Sequence, residues 1–455
     1  MEYTQKLAEF CAGISFDNLP ADVIEKAKLC ILDFLTNVFG SLELDAAKSV
    51  KSYIEAQGGP TTATALGCGF RTGAHLAAFL NGTLAEAIEA QDGLRFGGNH
   101  PGVAVIPAAL AMAESQGRGG KELIAAVAVG YEVASRIAAA MHPHHTMAGF
   151  LPTGTCGAFG AAAAVSKLMG HDRQGLLNSL GIAGFVLPLS MAEHLMGGYT
   201  SKILQGGQAA SAGLTAAGLA GAGITGPPFV LEGSALGGGF TRITCKSDPS
   251  LDRIVEGLGE RFALLDIYLK PYTACRHTHG SAQASLELLD QHKFEPQEIE
   301  AVDVFTYGIA AFAVGKAFPE GGTFISAQFS IPYVVAACLV DQEMGPRQLT
   351  EERLTDPVIR SLSQKVNVKI DAELAGLYPE FTASRVEIRL RDGRTVSKQI
   401  DLPKGDPRDP MTATDVAAKL KRFASRRPAE HLEKIIVRVL DLENVQDVRE
   451  LTTII

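Results

Sequence analysis

The sequence predicts a mainly α protein in which helical segments from both ends of the chain form one domain and a smaller α+β domain is inserted between them. Apolar residues recur with helical spacing up to about residue 265. Alternating strand patterns then appear, and helical spacing returns after Pro410. We therefore predict a helical domain from residues 1–268 and 403–455, and an α+β domain from residues 269–402.

The first block contains five segments whose apolar residues follow the helical period. They cover residues 21–38, 72–90, 102–116, 121–140 and 153–169. The last of them carries glycines at spacings of three residues, which places small side chains along one face. Another backbone can therefore pack closely against that helix.

The second block contains strand patterns around one apolar segment. Residues 298–307 and 365–371 alternate apolar and polar side chains, which is typical of strands. Residues 384–400 are predicted to form two strands joined by an Asp-Gly turn, a strong hairpin signal. Residues 327–341 are apolar enough for a buried helix, and the last thirty residues are predicted to be helical too.

Composition and charge exclude several classes of protein. The 455 residues are 46% hydrophobic and 20% charged, which is typical of a globular chain and excludes a disordered one. A net charge of −9 disfavours a nucleic-acid partner. Seven cysteines without a C-x-x-C pair argue against a disulfide framework and a Cys-type zinc site. They fit a reducing cytosol, and the N-terminus lacks the pattern of a signal peptide, so we expect a cytoplasmic protein.

One uncharged stretch, between Lys202 and Glu232, is long enough to cross a bilayer. It contains glutamines, a serine, a threonine, many glycines and two consecutive prolines, which make it too polar and too broken for lipid. We therefore expect a buried Gly/Ala helix here and no membrane partner.

The loop at residues 91–102 combines glycines with three side chains that could carry chemistry, Asp92, Arg95 and His100. It connects two apolar helices, and loops that are held by rigid neighbours often carry function. The alternative interpretation is a tight turn with a solvated Asp92 and a capping asparagine.

Two further segments offer groups that could bind an anion. A helix that starts at Thr153 and Gly154 would point free N–H groups outward, which suits a carboxylate, although ordinary capping by Thr153 is the alternative. Lys202 is the last charge before the uncharged stretch. A lysine beside a buried segment must pair with an anion, or else extend its ammonium to the surface.

Residues 270–280 lie where the helical block meets the mixed block, and domain interfaces are favoured places for ligand pockets. Two histidines at i and i+2, with Lys, Arg and Tyr nearby, could transfer protons and bind anions. The alternative is a metal site made of the cysteine and both histidines. The side chains concerned are Lys270, Tyr272, Cys275, Arg276, His277 and His279.

Taken together and in this order, six segments resemble the MmgE/PrpD family, which includes 2-methylcitrate dehydratase, cis-aconitate decarboxylase and iminodisuccinate epimerase. The resemblance implies a large helical domain built from both chain ends, a smaller α+β lid and a homodimer. It also implies catalysis without metal or cofactor. The segments are NGTLAEAIEAQDG…NHPGVAVIPAALAMAE (81–114), PTGTCGAFGAAAAVSKLMG (152–170), SKILQGGQAASAGL (201–214), LKPYTACRHTHG (269–280), AQFSIPYVVAACLVD (327–341) and DPMTATDVAAKLKRF (409–423).

The resemblance assigns catalytic positions to Asp92, His100, Lys202, Lys270 and His279. We expect substrate binding by neighbouring residues of the same segments, namely Arg95, Thr153, Gly154, Gln205, Tyr272, Cys275, Arg276 and His277. Other positions differ from the family pattern: its acids are replaced by Ala90 and Gly93, and its histidines by Leu151, Gln205 and, relative to the decarboxylase, Cys275.

The reaction that the resemblance implies is removal of a proton from carbon next to a carboxylate of a small di- or tricarboxylate. Cations must then stabilise the developing negative charge, and a base and an acid must stand at the reacting carbon. We expect a lyase, with a 2-methylcitrate-like dehydratase as the leading prediction. The alternatives are an epimerase, racemase or decarboxylase of a related acid, and a catalytically silent relative that binds a carboxylate.

Overall fold

The computed structural model describes residues 2–455, and helices account for 59% of the chain, which confirms the mainly α fold class. Before residue 250 the helices are α1 (Tyr3–Gly13), α2 (Ala21–Ser41), α3 (Asp45–Gln57), α4 (Ala74–Ala87), α5 (Gly102–Gln116), α6 (Gly120–Met141), α7 (His144–Met147), α8 (Pro152–Leu168), α9 (Arg173–Val186), α10 (Glu193–Met196), α11 (Leu204–Gly221) and α12 (Phe240–Ile243). Short strand pairs accompany them, β1 (Ala63–Ala65) with β2 (Phe70–Thr72) and β3 (Gly93–Leu94) with β4 (Ile267–Tyr268).

Helix α8 lies at the centre of the first block, where it packs against α5, α6, α9 and α11. Small residues permit this close packing, because a Cβ on Gly213 of α11 would come within 2.6 Å of the backbone nitrogen of Ala162. The predicted buried Gly/Ala helix is α11. Among residues 2–455, α6 has the length and apolarity of a membrane span, but 94% of its apolar stretch is buried within the protein.

The second block contains the helices α13 (His279–His292), α14 (Gly308–Val314), α15 (Phe324–Gln328), α16 (Ile331–Asp341), α17 (Glu351–Leu354), α18 (Pro357–Ser363) and α19 (Ala372–Leu377). Its strands are β5 (Ile299–Thr306), β6 (Val366–Ile370), β7 (Ser384–Leu390) and β8 (Thr395–Ile400). They form a four-stranded sheet in the order β6-β5-β7-β8. Strands β5 and β6 are parallel, and β7 and β8 form the predicted hairpin, in which Gly393 has φ 91°.

The C-terminal segment returns to the first block through α20 (Ala413–Phe423) and α21 (Ala429–Leu440), which pack on α2; α22 (Arg449–Thr452) follows. A capping box between Thr412 and Asp415 starts α20. From this helix, Lys419 forms an ion pair with Asp33 of α2 at 2.7 Å, with both side chains 1% exposed. The domain boundaries at residues 268 and 402 and the cytoplasmic location stay predictions.

Three predicted elements differ in extent from those observed. The helix predicted over 72–90 ends at Ala87, because Glu89 adopts φ 54° in the left-handed region and cannot continue it. The segment 327–341 holds the end of one helix and the whole of another, since the Ser330 hydroxyl accepts a bond from the Tyr333 N–H and starts α16. The last thirty residues, which were predicted to be helical, form α21, a short 3-10 turn (Leu442–Asn444) and α22, with non-helical residues between them.

Candidate functional site

A buried cluster forms where three distant segments of the chain meet at Glu89, just after α4. Lys202, in the turn before α11, places Nζ 2.5 Å from Glu89 Oε2. Lys270, just after β4, places Nζ 2.8 Å from Glu89 Oε1 and donates to the Glu89 carbonyl oxygen at 3.0 Å. Glu86, one helical turn earlier, lies 3.0 Å from Lys202 Nζ. We call Glu86, Glu89, Lys202 and Lys270 the lysine–glutamate cluster.

His100 borders this cluster and is its most accessible neighbour. Its side chain is 16% exposed, whereas the side chains of Glu89 and Lys202 are 2% and 3% exposed. The backbone N–H of His100 donates to Thr153 Oγ1 at 3.0 Å, which joins the loop to the start of α8.

The tautomer of His100 follows from its partner. Its Nδ1 lies 2.5 Å from the carbonyl oxygen of Asp92, and a carbonyl only accepts, so Nδ1 carries the hydrogen. The lone pair is then on Nε2, which lies 3.9 Å from Glu89 Oε1. Burial, followed by the charge of Lys270, lowers the pKa of His100 to about 3. The ring is neutral at physiological pH, with Nε2 able to accept a proton.

Although they are buried, Glu89 and the lysines of the cluster stabilise each other's charged forms. Burial alone would raise the pKa of Glu89, but Lys202 and Lys270 hold that pKa well below its ordinary value. Burial opposes the charge on Lys202, yet Glu89 and Glu86 raise its pKa above the ordinary value. Burial dominates at Glu86 and raises its pKa. Glu89 is thus the firmly ionised carboxylate, and Glu86 is the one more readily protonated.

Gln205 contributes to the cluster through Glu86. Its Nε2 donates to Glu86 Oε1 at 2.5 Å, and its Oε1 accepts from the hydroxyl of Ser190 at 3.1 Å. The Gly206 N–H donates to the other Glu86 oxygen at 3.0 Å. At a position expected to bind substrate, Gln205 therefore orients a carboxylate of the protein itself.

Asp92 meets His100 only through its backbone. Both residues were expected to be catalytic, but the Asp92 carboxylate faces away from the His100 ring. It accepts from the Tyr131 hydroxyl at 2.5 Å and from the Gly102 N–H at 3.2 Å, at the start of α5. Burial raises the pKa of Asp92 to about 6. The side chain thus fixes the loop that carries His100.

The segment 270–280 divides its side chains between different partners. Apart from Lys270, none of them donates to the cluster within residues 2–455. His279 Nε2 lies 3.1 Å from the carbonyl of Ala274 and its ring packs on Tyr272, with centroids 5.2 Å apart. His277 Nδ1 lies 2.6 Å from the Tyr307 hydroxyl. His279 was expected to be catalytic, but the structure buries it fully and places it against a carbonyl of its own segment.

The two arginines that were expected to bind substrate instead donate hydrogen bonds to backbone carbonyl oxygens. Arg276 donates to Pro403 O at 2.6 Å and to Lys404 O at 2.7 Å, which ties the segment to the C-terminal part of the chain. Arg95 donates to Glu380 O at 2.9 Å. Neither guanidinium is bonded to a residue of the cluster.

At the start of α8, where an anion site was expected, the Gly154 N–H is also bonded within the protein. The N–H of Gly154 donates to Leu151 O at 3.2 Å, and a Cβ on Gly154 would collide with Ser190.

Burial raises the pKa of the Cys275 thiol to about 11, so it stays protonated near neutral pH. Across residues 2–455, no three His, Cys, Asp or Glu side chains are grouped so that they could hold a metal ion.

The two glutamates of the cluster were not predicted. Glu86 and Glu89 stand three residues apart in an otherwise apolar segment, the spacing that puts two side chains on one helix face. Two acids at that spacing among apolar residues are expected to be buried, and a buried carboxylate needs a cation or a hydrogen-bond donor as its partner. The sequence therefore contained a signal for these two acids. It could have been combined with Lys202 and Lys270, whose partners the sequence analysis did not identify.

Two family models together match most of the chain. The MmgE/PrpD N-terminal domain matches residues 5–252, and the MmgE/PrpD C-terminal domain matches residues 272–442. A cis-aconitate decarboxylase-like protein, oryM, of Aspergillus oryzae is 28% identical over 99% of this chain and 97% of its own length. The cis-aconitate decarboxylase of Aspergillus terreus is 26% identical over 98% of this chain and 94% of its own. The human cis-aconitate decarboxylase is 26% identical over 99% and 94%.

Proposed function

Because this chain belongs to the MmgE/PrpD family, we propose that it is a lyase that acts on a small di- or tricarboxylate at the carbon next to a carboxylate. The observation that supports this proposal most is the convergence of Lys202, Lys270 and His100 around one buried carboxylate. Two ammonium groups and one neutral imidazole are the groups that such chemistry needs.

In the proposed mechanism, His100 Nε2 accepts a proton from the carbon of the substrate. The electron pair left on that carbon is delocalised onto the neighbouring carboxylate, whose oxygens are stabilised by Lys202 and Lys270. The adjacent carbon then loses its hydroxyl group, which leaves as water by taking the proton held on His100, and an alkene forms. Loss of CO2 instead breaks a carbon–carbon bond without prior removal of a proton and leaves the electron pair on that carbon, which then takes up a proton that water supplies through His100. The relatives, named as cis-aconitate decarboxylases, support CO2 loss more than the dehydration that we predicted.

The test is turnover of a panel of citrate-like and succinate-like acids, followed by NMR in D2O for water loss, CO2 loss and deuterium uptake. His100→Gln removes the basic nitrogen, and we expect kcat/KM to fall about 100-fold or more. Lys202→Met should reduce turnover as strongly. The matched controls are His292→Gln and Lys421→Met, since both side chains are exposed and remote from the cluster.

Full activity in both site variants would refute the assignment of the site. Deuterium uptake without release of water or CO2 would instead favour an epimerase or racemase. Stabilisation of the protein by a carboxylate without turnover of any acid would favour a silent binding protein.

We also propose that the protein is a homodimer, as the family resemblance implies. Phe185 is 92% exposed, Leu189 62% and Leu236 95%, and exposed apolar residues of this size mark protein interfaces. The segments that carry them are adjacent, because a Cβ on Gly184 would meet Val230. Light scattering after gel filtration should give about twice the chain mass of 48.0 kDa. The combined variant Phe185→Asp and Leu236→Asp should give the monomer mass, and an unchanged mass would refute this interface.

A further inference from the structure

We propose that Glu89 determines substrate specificity: its carboxylate is bound between Lys202 and Lys270, and it leaves these lysines enough free N–H donors for one carboxylate of a dicarboxylate substrate but not for two carboxylates of a tricarboxylate. This inference rests on the proposed function, since it concerns the same lysines. It goes beyond that function by naming the substrate class.

The first argument is a count of hydrogen-bond donors. An ammonium group has three N–H donors. Lys202 uses two of them, on Glu89 Oε2 and Glu86 Oε1, and Lys270 uses two, on Glu89 Oε1 and the Glu89 carbonyl. Among residues 2–455, each lysine therefore keeps at most one N–H for a ligand. Two N–H groups suit the two oxygens of a single carboxylate.

The second argument is charge. Within the cluster, the charges of two lysines are opposed by those of two carboxylates, and Glu89 is held ionised by both lysines. The neighbouring Lys419 is paired with Asp33 at 2.7 Å and adds no net charge. His100 is neutral, since burial lowers its pKa. A trianion would enter a nearly neutral, buried site and lose its hydration without compensation, which disfavours it more than a dianion.

The third argument is that the backbone that carries Glu89 is held in place, so its carboxylate can make way for a larger anion only by breaking its bonds to both lysines. It sits in the left-handed region with φ 54°, a conformation that costs a non-glycine residue energy and persists only where its surroundings impose it. The backbone around it is fixed by side chains of remote segments. These bonds run from Gln328 Nε2 to Ala87 O at 2.8 Å, from Lys270 Nζ to Glu89 O at 3.0 Å, from Lys419 Nζ to Ala90 O at 2.8 Å, and from His100 Nδ1 to Asp92 O at 2.5 Å.

The experiment compares two unreactive acids that differ by one carboxylate. Propane-1,2,3-tricarboxylate and glutarate share the same main chain, and only the first has a central carboxylate. Their dissociation constants are measured by isothermal titration calorimetry with the full-length wild-type protein and with Glu89→Gln, at one pH and ionic strength. The matched control is Glu86→Gln, the same chemical change at a carboxylate that touches only one of the lysines.

We expect the wild-type protein to bind glutarate at least about tenfold more tightly than the tricarboxylate. Glu89→Gln should shift the ratio of the two constants toward the tricarboxylate by about tenfold or more, and Glu86→Gln should shift it less. If Glu89→Gln does not fold, the preference of the wild-type protein alone decides. A wild-type preference for the tricarboxylate would overturn the inference, as would an equal shift in both variants or binding of neither acid.

The failure of this inference can be told apart from the failure of the proposed function. Turnover of a tricarboxylate with intact binding would refute the role of Glu89 and leave the lyase proposal standing. The expected selectivity without turnover of any acid would support the role of Glu89 and refute the lyase.

Discussion

Replacing Lys419 tests how the C-terminal segment supports the site. The Lys419 ammonium lies 2.7 Å from Asp33 Oδ1 and 2.8 Å from the Ala90 carbonyl, next to the cluster. Lys419→Met keeps a side chain of similar length but removes the charge. Asp33 is then left 1% exposed, with the Asn37 amide at 3.2 Å as its remaining side-chain donor.

The expected loss of stability follows from this burial. Breaking a buried ion pair by removing one partner costs about 3–5 kcal/mol, because the other charge is left uncompensated. Burial already raises the pKa of Asp33 in the wild-type protein, and losing Lys419 raises it further. A carboxyl group whose pKa is higher in the folded than in the unfolded state favours folding only while it is protonated. Its contribution to the free energy of unfolding is therefore lost as pH rises through the pKa of the folded state. As pH rises, the variant should therefore lose more stability than the wild-type protein, by up to about 1.4 kcal/mol per pH unit.

The assay is urea unfolding at pH 5, 6, 7 and 8, followed by circular dichroism. The double variant Asp33→Asn with Lys419→Met removes both charges and should recover more than half of the loss. A loss below about 1 kcal/mol would contradict the reasoning. So would a loss that does not grow with pH, or a double variant no more stable than the single one.

Three further predictions concern the groups around His100. Asp92→Asn should gain stability relative to the wild-type protein as pH rises from 4 to 7, by about 3 kcal/mol in urea unfolding, because burial raises the pKa of Asp92 to about 6 and its ionisation disfavours the fold. Thr153→Val removes the acceptor of the His100 N–H; steady-state kinetics should show kcat reduced about tenfold with KM changed less. Arg276→Met leaves two carbonyls without their donor and should lower the free energy of unfolding by about 2–4 kcal/mol in urea titrations.

The helices could be predicted from the sequence because their periodicity is a local property. The segment 102–116 matches α5 to the residue, and 121–140 matches α6 within one residue at each end. The end of α4 was missed because Glu89 is held in a left-handed conformation by lysines far away in the chain. Such a constraint is tertiary and leaves little local trace.

The site could be predicted only in part. Three positions that the resemblance assigned, Lys202, Lys270 and His100, lie around Glu89 in the structure, and their roles stay predictions. The resemblance did not show which way a side chain points. The Asp92 carboxylate accepts from the distant Tyr131, and His279 Nε2 lies against a carbonyl of its own segment.

The role of Glu89 in stability and its role in binding are two consequences of one arrangement. Two lysines that are 0–3% exposed must be paired if they are to stay charged in the absence of a ligand. Glu89 provides this pairing and keeps the ammonium groups in place, but it uses donors that an anion would otherwise take. Glu89→Gln should therefore lower the melting temperature of the free protein and increase its stabilisation by propane-1,2,3-tricarboxylate. A variant that is less stable and gains nothing from the tricarboxylate would show that the pairing serves only the fold.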